Sequence, residues 1–167
     1  MKLLNRIILI VLSITFLVCC DTGSKQIARS RLMDHPVQSY LGGVVQLFYV
    51  ENPGGMLSFG YNLSGGIRFI IFQVFISIVL VIIFGYVLLK KDLKLFQTVS
   101  FVLFISGGLG NLIDRFTNNG KVIDFIILQV NGLHTGVFNL ADFYITIGVS
   151  ILLITNFFPK RNSADSV

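Results

Sequence analysis

Charged residues are scarce in this chain, and its few cysteines and histidines form no recognisable site. Only 13% of the 167 residues are charged and 54% are hydrophobic, which is more apolar than a soluble domain of this length. Cys19 and Cys20 are adjacent, so they provide neither a disulfide framework nor a zinc site. His35 and His134 have no second ligand at metal-binding spacing, which is typical of solvated loop histidines. The composition indicates a membrane protein.

Four apolar segments are long enough to cross a hydrocarbon layer about 30 Å thick, which takes about 20 helical residues each. They cover approximately residues 3–20, 69–89, 95–112 and 138–158. The chain shows no internal repeat or linker, so residues 1–167 are predicted to form a single integral-membrane domain. We expect an all-α membrane protein with four transmembrane helices.

Short basic clusters flank these segments and predict the orientation of the helices. The net charge of +5 does not come from a basic stripe, so no nucleic-acid partner is expected. With four spans, the densest clusters all fall on one side, and the positive-inside rule makes that side the cytoplasm, with both termini in it. These cationic residues are Lys2, Arg6, Lys90, Lys91, Lys94, Lys160 and Arg161.

The two connections on the opposite side carry most of the polar residues. In the first, a helix-like stretch at residues 24–33 leads to the strand-like VVQLFYV at residues 44–50 and then to a turn at residues 53–55. The second alternates turn residues with a short apolar run, VIDFIILQV. We expect a small extracytoplasmic β-sheet on the helix ends, with a short periplasmic helix or loop.

Two acids in these connections have apolar neighbours, where an ionised carboxylate is costly unless it is paired or protonated. Asp124 lies in KVIDFII, and Asp142 lies in FNLADFY at the start of the fourth span. If the two converge, they share one proton. That is the chemistry of an aspartic peptidase, in which one acid takes a proton from water and the other donates a hydrogen bond to the scissile carbonyl.

Simpler interpretations of the same residues remain open. Asp142 follows Asn139 by three positions, so the two can cap a helix, and Asp124 can be a solvated loop acid. Asp114 and Arg115 are neighbours in a helical segment and should point apart, each to another partner. Arg115 is then either a clamp for substrate carbonyls or part of a structural ion pair.

Other classes of protein explain the sequence less well. A small transporter or channel subunit would carry acids at mid-membrane depth, and the centres of these spans have none. A Ser/Lys hydrolase based on Ser24 and Lys25, or on Ser58, has no feature that would deprotonate the lysine. The N-terminal run ending in LVCC is similar to a lipoprotein signal peptide, but three further spans favour a first transmembrane helix.

Four short motifs, in order along almost the whole chain, resemble those of the lipoprotein signal peptidases, also called signal peptidase II. The first is DTGSK, with Asp21 and Lys25, and the second is Asn-x-Gly, with Asn52 and Gly54. The third is GN-x-x-DR followed by V-x-DF, and the fourth is FN-x-AD. The last two contain Gly110, Asn111, Asp114, Arg115, Val122, Asp124, Phe125, Phe138, Asn139, Ala141 and Asp142.

The resemblance implies a globomycin-sensitive aspartic endopeptidase of the bacterial inner membrane, with its active site at the outer face. Its partners would be membrane lipid and diacylglyceryl-modified prolipoproteins, which it would cut before the lipidated cysteine. It would act as a monomer, without a metal or cofactor. The implied roles are catalysis for Asp124 and Asp142, substrate binding for Asn52, Gly54, Asn111, Arg115 and Asn139, and structural support for Asp21, Lys25 and Asp114. Leu57 stands where the family usually has Phe, so the resemblance does not predict the shape of that loop.

Overall fold

The computed structural model describes residues 3–55 and 59–157. Within them, four helices are long and apolar enough to cross a membrane, which confirms the predicted architecture. They are α1 (Leu3–Leu32), α2 (Gly65–Leu89), α3 (Leu95–Thr117) and α4 (Leu140–Phe157). Leu57 and Ser58 lie outside the described residues, as do the last predicted span residue, 158, and the basic residues 160–161.

Helix α1 is longer than the first predicted span, because the stretch predicted as a separate short helix is its continuation. The polar residues that suggested a boundary are accommodated within it. Lys25 lies one turn after Asp21, and their charged atoms are 2.7 Å apart on a buried face of the helix. Since each charge neutralises the other, the helix passes these residues without a break and ends before Pro36.

Helix α3 lies at the centre of the bundle. Half of its membrane-spanning window is buried, compared with 11 to 17% in the other three helices. Glycines allow neighbouring backbones to approach: a Cβ added at Gly107 would collide with the Ala141 carbonyl oxygen, and one at Gly148 would lie 2.7 Å from the Ser100 carbonyl oxygen. Helices α3 and α4 are therefore in backbone contact, as small residues at a membrane-helix interface permit.

A four-stranded antiparallel sheet lies at one end of the bundle and confirms the predicted small sheet. Its strands are β1 (Gln38–Tyr40), β2 (Val45–Asn52), β3 (Val122–Val130) and β4 (Leu133–His134), in that spatial order. The first two strands join α1 to α2 and the last two join α3 to α4, so we call this the sheet end. At the opposite end, Arg6 donates hydrogen bonds to the carbonyl oxygens of Lys90 and Val87, at 2.8 and 2.9 Å.

The sheet has two irregular features, one opposite Asp124 and one just before α4. The pairing of β2 with β3 shifts by one residue between Leu47 and Val50, and Val50 is then opposite Asp124. Such bulges redirect side chains and are frequent next to active sites. Phe138, just before α4, exchanges two backbone hydrogen bonds of 2.9 Å with Ile126 of β3. This bridge holds the start of α4 against the middle of the sheet.

Candidate active site

Asp124 is a buried acid of strand β3 whose carboxylate is held by two asparagines. Its side chain is 3% exposed. Asn52, on the neighbouring strand, donates from Nδ2 to Asp124 Oδ2 at 3.0 Å, and Asn139 donates from Nδ2 to Asp124 Oδ1 at 2.7 Å. Asn52 is paired with Val122, so it faces Asp124 diagonally across the two strands. The interpretation of Asp124 as a solvated loop acid is wrong.

Asp142 lies in the first turn of α4 and has two functions there, one for each carboxylate oxygen. Its backbone N–H donates to Asn139 Oδ1 at 2.9 Å, and the Asn139 backbone N–H donates to Asp142 Oδ2 at 3.3 Å. This is the reciprocal arrangement of a helix cap. The other oxygen, Oδ1, accepts from Asn111 Nδ2 of α3 at 2.8 Å. The capping interpretation therefore holds, but it uses only half of the carboxylate.

One cavity of about 250 Å³ is lined by both acids. Asn52, Asn111 and Arg115 add polar groups to its wall, while Asn139 lies fully buried behind the two carboxylates. The rest of the lining consists of Gly55, Val122, Leu128, Thr135, Gly136, Val137, Phe138, Phe143 and Thr146. The cavity is thus mainly apolar, with its polar groups gathered around the two acids, as is common in sites that bind small or extended ligands.

The surroundings of Asp124 raise the pKa of its carboxyl group. The pKa of Asp124 is raised from 3.8 to about 7, mainly by burial and to a smaller extent by the charge of the nearby Asp142 carboxylate. The hydrogen bonds from Asn52 and Asn139 act in the opposite direction but are weaker. An acid with this pKa can hold or release a proton near neutral pH, which is what general acid–base catalysis requires.

Arg115 ties the loop after β2 to helix α3. Its Nη2 donates to the Gly54 carbonyl oxygen at 2.8 Å and its Nη1 donates to the Asn111 carbonyl oxygen at 3.2 Å. Gly54 in turn donates its N–H to Asn52 Oδ1 at 2.9 Å. Arg115 forms no ion pair within 4.0 Å with any residue that the structure describes. The interpretation of Arg115 as part of a structural ion pair is therefore wrong among those residues. Its guanidinium instead fixes backbone next to the cavity.

Phe72 supports Arg115 and was not identified from the sequence. The guanidinium lies 5.2 Å from the centre of its ring, a distance typical of cation–π contact. Phe72 belongs to a π-helical turn within α2, Ile70–Phe75, and such turns often occur at functional sites. No sequence signal marks Phe72, since the whole span is apolar, although the adjacent Gln73 interrupts the apolar run.

The three residues assigned a structural role form a buried charge cluster behind Asn111. Lys25 is 1% exposed, and its Nζ lies 2.7 Å from Asp21 Oδ2 and 3.0 Å from Asp114 Oδ2. Asp21 Oδ1 accepts the Ala141 N–H at 2.9 Å, and Asp114 Oδ2 accepts the Ile123 N–H at 3.1 Å. The cluster therefore joins α1, α3, α4 and β3. Asp114 and Arg115 do point to different partners, as the sequence predicted.

Residues 3–55 and 59–157 show no arrangement that matches a metal site or a Ser/Lys hydrolase site at Ser24 and Lys25. No group of three or more potential metal ligands occurs there, and His35 and His134 are exposed. The Ser24 hydroxyl donates to the Asp21 carbonyl oxygen at 2.7 Å, and the neighbouring Lys25 is held between carboxylates. The two residues do not form a Ser/Lys hydrolase site, because the Lys25 amine lies against Asp21 and Asp114 and the Ser24 hydroxyl has a different partner.

Comparison with known proteins gives a consistent result. Residues 13–158 match the family model for signal peptidase (SPase) II. The chain is 31% identical over 166 residues to the lipoprotein signal peptidase of Borrelia hermsii (strain HS1 / DAH), with 96% of each chain covered. It is 40% identical over 143 residues to that of Caldicellulosiruptor bescii, with 86% of this chain and 85% of the relative covered. A bacterial membrane enzyme solved by the in meso method superposes with a TM-score of 0.77 at 26% identity, covering 95% of this chain and 93% of that one.

Proposed function

The chain belongs to the signal peptidase II family and removes signal peptides from prolipoproteins, and we propose that it is an aspartic endopeptidase whose catalytic pair is Asp124 and Asp142. The substrate is a prolipoprotein that carries a diacylglyceryl group, and the bond cut is the one before the modified cysteine. The alternative of a transporter or channel subunit is not favoured by these relatives. The four helices make the chain a multi-pass protein of the bacterial inner membrane.

The observation that carries the proposal is the shared cavity of the two acids. Both carboxylates line it, and side-chain amide N–H groups hold each of them. The pKa of about 7 for Asp124 follows from burial and from the charge of Asp142. Two close acids in a poorly solvated site do not both ionise, so the pair holds one proton near neutral pH.

This single proton lets the pair divide the two tasks of peptide hydrolysis. The ionised acid takes a proton from a water molecule, whose oxygen then attacks the scissile carbonyl carbon. The protonated acid donates a hydrogen bond to the carbonyl oxygen, which becomes negatively charged during the attack. Collapse of the tetrahedral intermediate breaks the C–N bond, and the leaving nitrogen takes a proton from the pair. No covalent enzyme intermediate forms.

Residues that line the cavity or lie directly behind its wall can bind and orient the substrate. We assign this role to Asn52, Gly54, Asn111, Arg115 and Asn139, which hold either the two acids or the backbone beside them. Apolar residues that include Leu128, Val137 and Phe143 line the same cavity and suit the signal peptide and acyl chains. Because those chains are anchored in lipid, the scissile bond is held beside the acids with little need for deep side-chain pockets.

The orientation of the protein follows from its charge and from the position of the site. The sheet end carries the cavity, and the opposite end carries the short basic connection with Lys90, Lys91 and Lys94. The positive-inside rule assigns the basic end to the cytoplasm. We therefore propose that the active site faces the outer side of the membrane, that both termini are cytoplasmic, and that the enzyme acts as a monomer.

Substitution of each acid in cells tests this proposal. The gene is expressed in bacteria depleted of their own lipoprotein signal peptidase, and processing of a diacylglyceryl prolipoprotein is followed by gel mobility. Asp124→Asn and Asp142→Asn should each insert into the membrane normally but leave the prolipoprotein uncut. Asp92→Asn, at an exposed position in the α2–α3 connection, is the matched control and should process it. Normal processing by either of the first two variants would overturn the assignment.

A further inference from the structure

Lys25 makes one contact outside its carboxylate pairs. Besides its two carboxylate partners, its Nζ donates a hydrogen bond to Asn111 Oδ1 at 3.0 Å. Asp21 and Asp114 already supply the negative charge that a buried ammonium needs. The third contact leads towards the catalytic pair, because Asn111 is the residue that donates to Asp142.

The chemistry of Lys25 determines which end of the Asn111 amide faces Asp142. A lysine ammonium has three donors and no acceptor, whereas a side-chain amide has a donating NH₂ at one end and an accepting oxygen at the other. The amide atom that faces Lys25 must therefore be the oxygen. Nδ2 is then at the opposite end, 2.8 Å from Asp142 Oδ1.

The orientation of Asn139 is determined in the same way by a different donor. The Asp142 backbone N–H, which can only donate, lies 2.9 Å from Asn139 Oδ1. Asn139 Nδ2 therefore faces Asp124 Oδ1 at 2.7 Å, and it also lies 3.0 Å from Asn111 Oδ1. Both amides thus present N–H groups to the acids, and the oxygen of Asn111 accepts from Lys25 and Asn139 together.

From this arrangement we propose that Lys25 is a positioning residue, which holds the Asn111 amide with its NH₂ towards Asp142 and so keeps a hydrogen-bond donor on the Asp142 carboxylate. The inference rests on the proposed function of the two aspartates. Without the Lys25 donor, only Asn139 Nδ2 would hold the Asn111 oxygen, so the Asn111 amide would turn over more readily and present its oxygen to Asp142. A carbonyl oxygen disfavours an ionised neighbour and favours a protonated one. The Asp142 carboxylate would then face an acceptor instead of a donor.

The charged groups around this path come from every element packed against it. Asp21 faces Lys25 from α1, and Asp114 faces it from α3. Arg115 of α3 interacts electrostatically with Asp114, Asp124 and Asp142. A test must therefore separate the loss of the Lys25 donor from the loss of its charge.

Two substitutions at Lys25 make that separation. Lys25→Met removes both charge and donor, whereas Lys25→Gln removes the charge but keeps an N–H donor. Both are made alone and together with Asp21→Asn, since the double variants keep the summed charge of Asp21, Lys25 and Asp114 unchanged and protect the fold. The full-length protein is purified in detergent, its folded fraction is measured by circular dichroism, and kcat and KM for a synthetic diacylglyceryl lipopeptide are followed across pH. Lys91→Met, at an exposed position, is the control.

In the Asp21→Asn background the methionine and glutamine variants carry the same charge and are compared with each other. We expect the methionine variant to have a kcat about tenfold or more below that of the glutamine variant, with little difference in KM, as the loss of a hydrogen bond to a charged group implies. Relative to the glutamine variant, the acid limb of the methionine variant's pH profile should move to higher pH by about one unit. If the methionine and glutamine variants have the same kcat and the same pH profile and differ only in stability, Lys25 has a structural role alone and the inference is wrong. Activity in Asp124→Asn or Asp142→Asn would instead refute the proposed function.

Discussion

Asp124→Asn should change the stability of the folded protein with a sign that depends on pH. Moving the pKa of Asp124 from 3.8 to about 7, at 1.36 kcal/mol per pKa unit, makes ionisation cost the folded state about 4 kcal/mol. Because the pKa is raised, protonated Asp124 contributes this amount to the free energy of unfolding below pH 3.8. The contribution falls as pH rises and is lost above about pH 7. Asparagine cannot ionise, so the variant escapes the loss.

The substitution also has a cost that does not depend on pH. Both oxygens of Asp124 accept from amide N–H groups, so the NH₂ of an asparagine would face one of these donors. One mismatched buried hydrogen bond costs about 1–3 kcal/mol. The variant should therefore be less stable than the wild type in acid by about that amount. In alkali it should be more stable by about 1–3 kcal/mol, since the two effects oppose each other.

This change of sign can be measured by thermal unfolding in detergent, followed by far-UV circular dichroism. The measurements are made on both sides of the interval from pH 3.8 to about 7. A change of 1 kcal/mol corresponds to about 2–4 °C in Tm for a chain of this size. Asp92→Asn, which replaces an exposed acid, should follow the wild type at every pH. Parallel curves for Asp124→Asn and the wild type would show that Asp124 ionises freely in the folded protein, and the assignment of a shared proton would lose its basis.

Three further predictions follow from the site and its packing. Asn52→Ala removes a donor to Asp124 and should lower kcat by about 10–100-fold, whereas Asn62→Ala, at an exposed position, should keep the wild-type rate in the same lipopeptide assay. Gly110→Ala places a methyl group against a buried carboxylate oxygen and should destabilise the protein by about 1–3 kcal/mol in thermal unfolding. Gly85→Ala, with nothing within 4 Å of the added carbon, should be neutral or stabilise the protein by up to about 1 kcal/mol. Equal changes in Tm for the two glycine variants would contradict the close packing of Gly110 against Asp21. Wild-type kcat/KM should fall as pH rises through about 7, where Asp124 loses its proton, and initial rates that stay constant there would contradict the role of Asp124 as the protonated acid.

The spans and the sheet could be predicted because each depends on a local pattern. A run of about 20 apolar residues has one favourable arrangement in a bilayer, and β-branched residues followed by a glycine-rich turn favour a strand and its end. Boundaries were less predictable. Helix α1 continues through Asp21 and Lys25 because they pair with each other and Lys25 also pairs with Asp114 of α3. A partner 89 positions away from Lys25 leaves no local signal.

The role of Asp142 shows a different limit of sequence reasoning. Capping and catalysis looked like alternatives, because each explains one acid in the first turn of a helix. In the structure the two carboxylate oxygens have different partners: Oδ2 accepts from the Asn139 N–H of the cap, and Oδ1 accepts from Asn111. Phe72 is a further case, since nothing in an apolar span distinguishes the one ring that supports Arg115.

The sequence by itself determined the membrane architecture, the candidate acids and the motifs that carry the family resemblance, because hydropathy and short motifs are properties of neighbouring residues. Only the tertiary structure decided which amide end faces each acid, how deeply Asp124 is buried, and that Lys25 is linked to Asp142 through Asn111. These depend on donors and acceptors brought together from distant parts of the chain. Hydrogen-bond direction and desolvation exist only once those groups meet in space.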